Sequence, residues 1–211
     1  MNYKWKYQSL TPQNQEAADK LSAEIGINPI VGSILFKRGI KTPRQAKKFF
    51  SPRLTDLHDP FEMKDMDKAV ERINQAIGMK EKILVYGDYD VDGCTAVTLV
   101  YKFLQEFYSN VEYYIPDRYE DGYGISFKAI DRAVSLGVRV IIILDCGIKA
   151  NQEIAYAQAH GIDFIVCDHH VPDDELPPAY AILDPKRKDE TYPYHDLSGC
   201  GIGFKLMQAF A

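Results

Sequence analysis

The rhythm of apolar and polar positions changes near residue 80. Before it, apolar residues recur at helical spacing, as in Ala17, Leu21 and Ile25 and again in Ala69, Ile73 and Ile77. Pro29, Gly39, Pro43, Pro52 and Pro60 cut this stretch into short pieces. Thr42 before Pro43 has the form of an N-cap followed by proline at the first helical position. Gly78 is placed to end the helix of Ile73 and Ile77. The pattern predicts a small helical region over residues 1–80.

From Lys82 onward, short apolar runs alternate with helical patterns. Ile83-Leu84-Val85-Tyr86 is continuously apolar, as in a strand buried on both faces. A helix is predicted over 95–107 and a strand over 111–115. Ser126 caps a further helix that runs to Leu136, with Gly137 at its end. A strand over 138–144, a helix over 151–160 closed by Gly161, and strands over 164–166 and 181–183 complete the series. Repeated units of this kind predict an α/β fold: a doubly wound, mainly parallel sheet flanked by helices over residues 81–211. Residues 201–211 read as a helix with no glycine cap and no basic last turn, so a piece of a longer protein is expected.

Composition narrows the class. Of 211 residues, 46% are hydrophobic and 26% charged, which suits an ordinary globular chain with a real core. The net charge of -5 excludes a strongly basic nucleic-acid glue, so any basic footprint must be local. Lys186-Arg187-Lys188 and the set Lys41, Arg44, Lys47 and Lys48 are the candidates for such contacts. Cys94, Cys146, Cys167 and Cys200 form no C-x-x-C pair, which argues against a zinc knuckle. They are expected to pack as small residues behind loops rather than to act as ligands. So few cysteines suit a reducing, cytoplasmic setting. Residues 1–7 lack the apolar core of a signal peptide, and the longest strongly apolar run, 140–144, is far short of a membrane span.

The candidate chemistry lies where strands should end. Gly87-Asp88-Tyr89-Asp90-Val91-Asp92-Gly93, Asp145-Cys146-Gly147 and Asp168-His169-His170 each follow an apolar run. In a parallel sheet, loops at the carboxyl ends of strands share one crevice. Carboxylates and imidazoles gathered there repel unless cations lie between them, and a pair of divalent ions is the simplest answer. The D-x-D-x-D-G spacing also opens a calcium-binding EF-hand loop, but the twelfth position is Leu99 instead of glutamate. A D-x-D aspartyl-phosphate site leaves the later aspartates and both histidines unexplained. Mixed carboxylate and imidazole ligands suit manganese better than calcium. Two ions about 4 Å apart can share a bridging carboxylate and clamp both oxygens of a phosphoryl transfer. Asp145, alone on its strand end, is the natural bridge. Asp90 and Asp92 can each take one ion, and His169 or His170 completes the set. The other histidine is then free to orient a phosphate or protonate a leaving oxygen.

The three clusters resemble, in order, the first three motifs of the DHH phosphoesterase superfamily, which Asp168-His169-His170 names. Within it the chain is similar to the branch of single-strand-specific 5′ to 3′ exodeoxyribonucleases. Further matching segments are Arg38-Gly39, Phe49 to Pro52, Met66 to Ala69, Pro116 to Arg118, Asp121 to Gly124 and Ser198 to Lys205. The resemblance covers nearly the whole chain and implies a metal-dependent nuclease of DNA recombination and repair. It implies manganese or magnesium, held as two ions in a full-length protein and as one in a fragment. Asp90, Asp92, Asp145 and His169 are the implied ligands, with Asp88 a ligand or a supporting acid. Asp145, Asp168 and His170 are the candidate catalytic residues, His170 facing the scissile phosphate.

Arg118, Tyr123, Gly124, His170, Ser198 and Gly199 are the candidate substrate contacts. Tyr123 would stack on a base, and amides at the helix start after Ser198 would hold an anion. Single-stranded DNA is the implied partner, with a single-strand-binding protein and a helicase beside it, and a monomer with no membrane association is expected. Two departures stand out. Tyr86 occupies a position where the superfamily often has a histidine. A fourth motif with a further ligand aspartate would lie beyond Ala211, so the fragment is expected to lack full activity. The alternatives are a phosphoesterase of short oligonucleotides or cyclic dinucleotides, and a catalytically inert scaffold.

Overall fold

The structure, a computed structural model, describes residues 4, 6 and 8–211. The expectation for residues 1–7 therefore falls largely outside the described residues. Contacts divide the chain into two units, Met1–Leu57 and His58–Ala211.

In the first unit Pro29 and Pro43, two of the prolines that read as breakers, are helix starts. Helices α1 (Pro12–Ile25), α2 (Pro29–Lys37) and α3 (Pro43–Phe50) each carry proline in the first turn, capped by Thr11, Asn28 and Thr42. Thr42 and Gln45 form a reciprocal capping box. A Cβ on Gly32 would stand 1.8 Å from Ser22 Oγ, so α2 can cross α1 this closely only with glycine there. A short 3-10 turn, Leu54–Asp56, ends the unit.

The second unit opens with a 3-10 turn at Pro60–Glu62 and helix α4 (Met66–Gly78). Strands β1 (Lys82–Gly87), β2 (Val111–Tyr114), β3 (Val138–Leu144), β4 (Asp163–Cys167) and β5 (Ala181–Leu183) follow, with helices α5 (Val91–Gln105), α6 (Phe127–Ser135), α7 (Asn151–Ala159) and α8 (Gly199–Phe210). The strands form one parallel sheet in the order β2-β1-β3-β4-β5. This is the expected α/β architecture. Helix α4 falls within the stretch 1–80 expected as a helical N-terminal region, yet its buried residues Met66, Ala69 and Ile73 pack into the core of the sheet unit.

Alternate residues of each strand face opposite layers, as the two-residue period requires. Ile83, Val85, Val140, Ile142 and Leu144 pack with α4, α5 and α8. Leu84, Tyr86, Ile141, Ile143 and Phe164 pack with α6 and α7. Every residue of β3 except Arg139 is buried. Each fully buried Ile or Leu contributes roughly 1.5–3 kcal/mol, so the two layers hold the sheet firmly from both sides. After β1 the chain turns outward to β2, then returns to lay β3 on the other side of β1. That reversal opens a crevice at the carboxyl ends of β1 and β3, where helices diverge to opposite faces.

Candidate metal centre

The three acidic clusters meet in this crevice. Asp88 and Asp90 follow β1, Asp145 follows β3, and Asp168, His169 and His170 follow β4. Among the described residues, two groups offer ligand atoms within 4.8 Å of one another: Asp88, Asp90 and Asp145, and Asp145, His169 and His170. Asp145 is common to both.

Each side chain is placed by local structure. Asp90 caps α5, its Oδ1 accepting the Gly93 N–H at 3.0 Å, and this bond holds its carboxyl below the usual range. The cap also starts α5 at Val91, four residues before the predicted start. Gly93 is forced: a Cβ there would lie 2.3 Å from the Asp88 carbonyl oxygen. Asp145 sits in a left-handed backbone, φ 61°. Its Oδ1 lies 3.1 Å from His169 Nε2 but makes no hydrogen bond. Burial, followed by the charges of Asp92 and Asp90, pushes the Asp145 carboxyl up to about 8. Asp88 is also buried and shifted upward, chiefly by desolvation, and its Oδ1 likewise has no partner. Two orphan oxygens on raised carboxyls within one cluster mark a site short of positive charge. A hard divalent cation fits this donor set, and manganese fits its mixture of oxygen and imidazole nitrogen.

Asp168 has a different part from the one its motif suggests. It is buried, and its Oδ1 accepts the His169 N–H at 2.7 Å, the His170 N–H at 3.1 Å and His170 Nδ1 at 2.7 Å. Oδ2 accepts the Ile148 N–H at 3.0 Å. With both oxygens accepting hydrogen bonds, Asp168 orients His170. A carboxylate only accepts, so Nδ1 of His170 carries the proton and Nε2 is left without one.

Asp92 also differs from expectation. It joins neither group. Its carboxylate accepts the Gly199 N–H at 2.7 Å and the Cys200 N–H at 2.8 Å, and stands 3.8 Å from His169 Nε2. The amides expected to hold a substrate anion at the start of α8 are thus taken by the chain's own carboxylate, and Ser198 Oγ accepts the Gly201 N–H. Ser198 and Gly199 build the centre from behind. A Cβ on Gly199 would lie 2.6 Å from Asp145 Oδ1. Sequence reasoning named these residues but could not foresee that Asp92 and α8 satisfy one another.

Tyr86 lies away from the ligands. It is fully buried, stacks on Tyr114, and donates its hydroxyl to the Gly124 carbonyl at 2.7 Å. It therefore anchors the loop that presents Tyr123. That ring is 61% exposed and meets the His170 ring edge-on at 6.5 Å. Tyr123, Gly124, Lys149, Glu153, His170 and Val171 border a cavity of about 460 Å³ beside the centre. Arg118 lies over the Tyr89 ring at 5.3 Å. Cys146 and Cys167 are buried, as expected of packing residues, and no cysteine belongs to either ligand group among the described residues. No helix is long and apolar enough to cross a membrane among the described residues.

Comparison with known proteins follows the same line. The DHH family, N-terminal domain, matches residues 82–211. The chain is 42% identical over 196 residues to the single-stranded-DNA-specific exonuclease RecJ of Bacillus subtilis, covering 93% of this chain and 25% of that protein. It is 35% identical over 196 residues to RecJ of Escherichia coli, covering 92% of this chain and 33% of the relative. The chain thus spans a quarter to a third of the length of these relatives. A crystal structure of exonuclease RecJ bound to manganese is similar at 28% identity and a TM-score of 0.64, covering 70% of this chain and 37% of that one. RecJ of Thermus thermophilus in complex with Mn2+ shares the fold at 23% identity and a TM-score of 0.74, over 96% of this chain and 28% of that one.

Proposed function

The chain belongs to the DHH family, and from that premise we propose that it is the N-terminal part of a metal-dependent 5′ to 3′ exonuclease hydrolysing phosphodiester bonds of single-stranded DNA in recombination and repair. The observation that carries the reading is the meeting of Asp88, Asp90, Asp145, His169 and His170 around two unpartnered buried carboxylate oxygens. The names of the relatives supply the substrate class, and the manganese-bound structure supports the metal. A monomer working in the cytoplasm beside a single-strand-binding protein and a helicase belongs to the same reading.

Asp88, Asp90, Asp145 and His169 would hold manganese or magnesium, Asp145 being common to both ligand groups, with Asp92 3.8 Å from His169 Nε2. A bound ion there supplies a Lewis acid and an acidified water. The chain's own groups do the rest. Asp168 keeps His170 Nδ1 protonated and aims Nε2 at the phosphate or the leaving oxygen, as a positioning residue. Arg118 offers positive charge to the strand, and Tyr123 a face for a base.

The test supplies manganese and 5′-labelled single-stranded DNA to this chain, and to this chain joined to the C-terminal portion of the Bacillus subtilis relative. Bound manganese is followed by electron paramagnetic resonance. Mononucleotides released from the 5′ end by the joined chain support the reading. Manganese binding with no cleavage by either form overturns it in favour of an inert scaffold.

A further inference from the structure

The two units carry opposite charge. Residues 1–57 hold ten Lys or Arg against four Asp or Glu, a net +6; the remaining 15 basic and 26 acidic residues give the second unit -11. Between Glu24 and Asp56 there is no acidic residue at all, while seven basic residues fall between Lys37 and Arg53.

Four of those seven gather at one place. Arg44, Lys47, Lys48 and Arg53 border a hollow of about 290 Å³, with Ser51 and Thr55 also in its lining. All four cations are exposed. Among the described residues none of them makes an ion pair. The one carboxylate at the hollow, Asp56, uses Oδ2 to accept the backbone N–H of Arg53 at 3.0 Å. Arg44, Lys47 and Lys48 stand three and four residues apart, so they share one face of α3.

Helix electrostatics explains only part of this. Lys47 and Lys48 lie in the last turn of α3, where the helix dipole favours cations. Arg44 lies in the first turn, where the dipole opposes a cation, and Arg53 lies beyond the helix in extended backbone. Four unpaired cations around a concave surface repel one another unless an anion joins them. Phe49 and Phe50, each about half exposed and set edge to face at 5.4 Å, follow directly on the two lysines. Cations that track a backbone beside rings that accept bases form the combination used to bind single strands. A concave site ringed by cations suits a chain of phosphates better than a flat lipid surface.

We propose that this hollow binds the phosphate backbone of single-stranded nucleic acid without a metal ion, as a strand-holding site additional to the carboxylate centre. The proposal rests on the nuclease reading for its substrate class. It also answers a difficulty in that reading: a polyanion is otherwise offered a unit of net charge -11.

The experiment measures binding of a fluorescent oligodeoxythymidine to the 211-residue chain in chelator over a range of salt. The variants are R44A/K47A/K48A and the charge-conserving R44K/K47R/K48R, with thermal unfolding as the check that both fold. Each phosphate contact contributes about 0.7 to the slope of log affinity against log salt. The alanine variant is expected to lose about 2 from that slope and at least tenfold in affinity at about 100 mM salt, and the conserving variant to keep both. Equal slopes for the alanine variant and the unaltered chain overturn the proposal. So does the absence of metal-free binding, or binding only to phosphatidylserine vesicles. Because the assay contains chelator and scores no cleavage, it fails independently of the nuclease reading: a joined chain that cleaves, with an unaltered slope in the alanine variant, removes the hollow and leaves the nuclease.

Discussion

Asp145 bears two costs at once, a left-handed backbone and a buried carboxyl shifted to about 8. The first costs a non-glycine residue on the order of 1 kcal/mol or more. The second makes the metal-free chain hold a proton that the unfolded chain has already released. Asparagine tolerates the same backbone and carries no charge. Asp145→Asn is therefore expected to raise the metal-free unfolding free energy, more at pH 9 than at pH 6, by roughly 1–3 kcal/mol at the higher pH. The stabilisation by manganese expected of the unaltered chain should vanish. Calorimetry at the two pH values checks both, and a loss of stability at each pH would refute the account. Gly199→Ala tests the packing behind the same carboxylate. Its Cβ would press on Asp145 Oδ1 at 2.6 Å, so manganese affinity measured by titration calorimetry should fall at least tenfold, with about 1–3 kcal/mol of stability lost to overpacking. At this scale the sequence marked candidate residues but not which way they face. Asp168 and Asp92 lie in motifs that advertise ligands. Their hydrogen bonds to Ile148, Gly199 and Cys200 depend on the fold being assembled.

Elements were easier to read than contacts. The strands over 138–144 and 181–183 occupy their predicted residues because a buried parallel strand is written as a nearly continuous apolar run, broken in β3 only by Arg139. The start of α5 was misplaced because Asp90 serves as both cap and candidate ligand, and its carboxylate hid the cap. The place of α4 was hidden for another reason: an amphipathic helix states that it has a buried face, not what covers it. Arg72 supplies the missing information. Its guanidinium, almost wholly buried, donates to Asp163 Oδ2 at 2.6 Å and Glu81 Oε2 at 2.7 Å, tying α4 to the starts of β4 and β1. Arg72→Met should cost about 1–3 kcal/mol in urea unfolding, below the range for a fully buried pair because both acids retain some water. An unchanged midpoint would mean that α4 is held by its apolar face alone.

Stability of the whole chain should fall as pH rises through neutrality, and Asp184 isolates one cause. It follows β5, is fully buried, and leaves Oδ2 without a partner. Burial pushes its carboxyl up to about 7 from an ordinary value of 3.8, with Asp168 adding to the rise. Below pH 3.8 the group is neutral in both states, so its contribution is fully present; that contribution is lost as pH rises through about 7. Asp184→Asn should leave stability little changed near pH 4 and raise it by roughly 1–3 kcal/mol at pH 8. Thermal unfolding at the two pH values measures the difference, and a pH-independent gap would refute it. The clasp between Asp92 and the amides of α8 has a consequence in time. It joins positions 107 and 108 residues apart, and closing so distant a pair is slow compared with forming any single βα unit. The carboxylates of β1 and the helix that steadies them come from opposite ends of the second unit, so the centre can be completed only when that unit has closed. During refolding, manganese should be captured in the final phase and should slow unfolding without hastening the early steps.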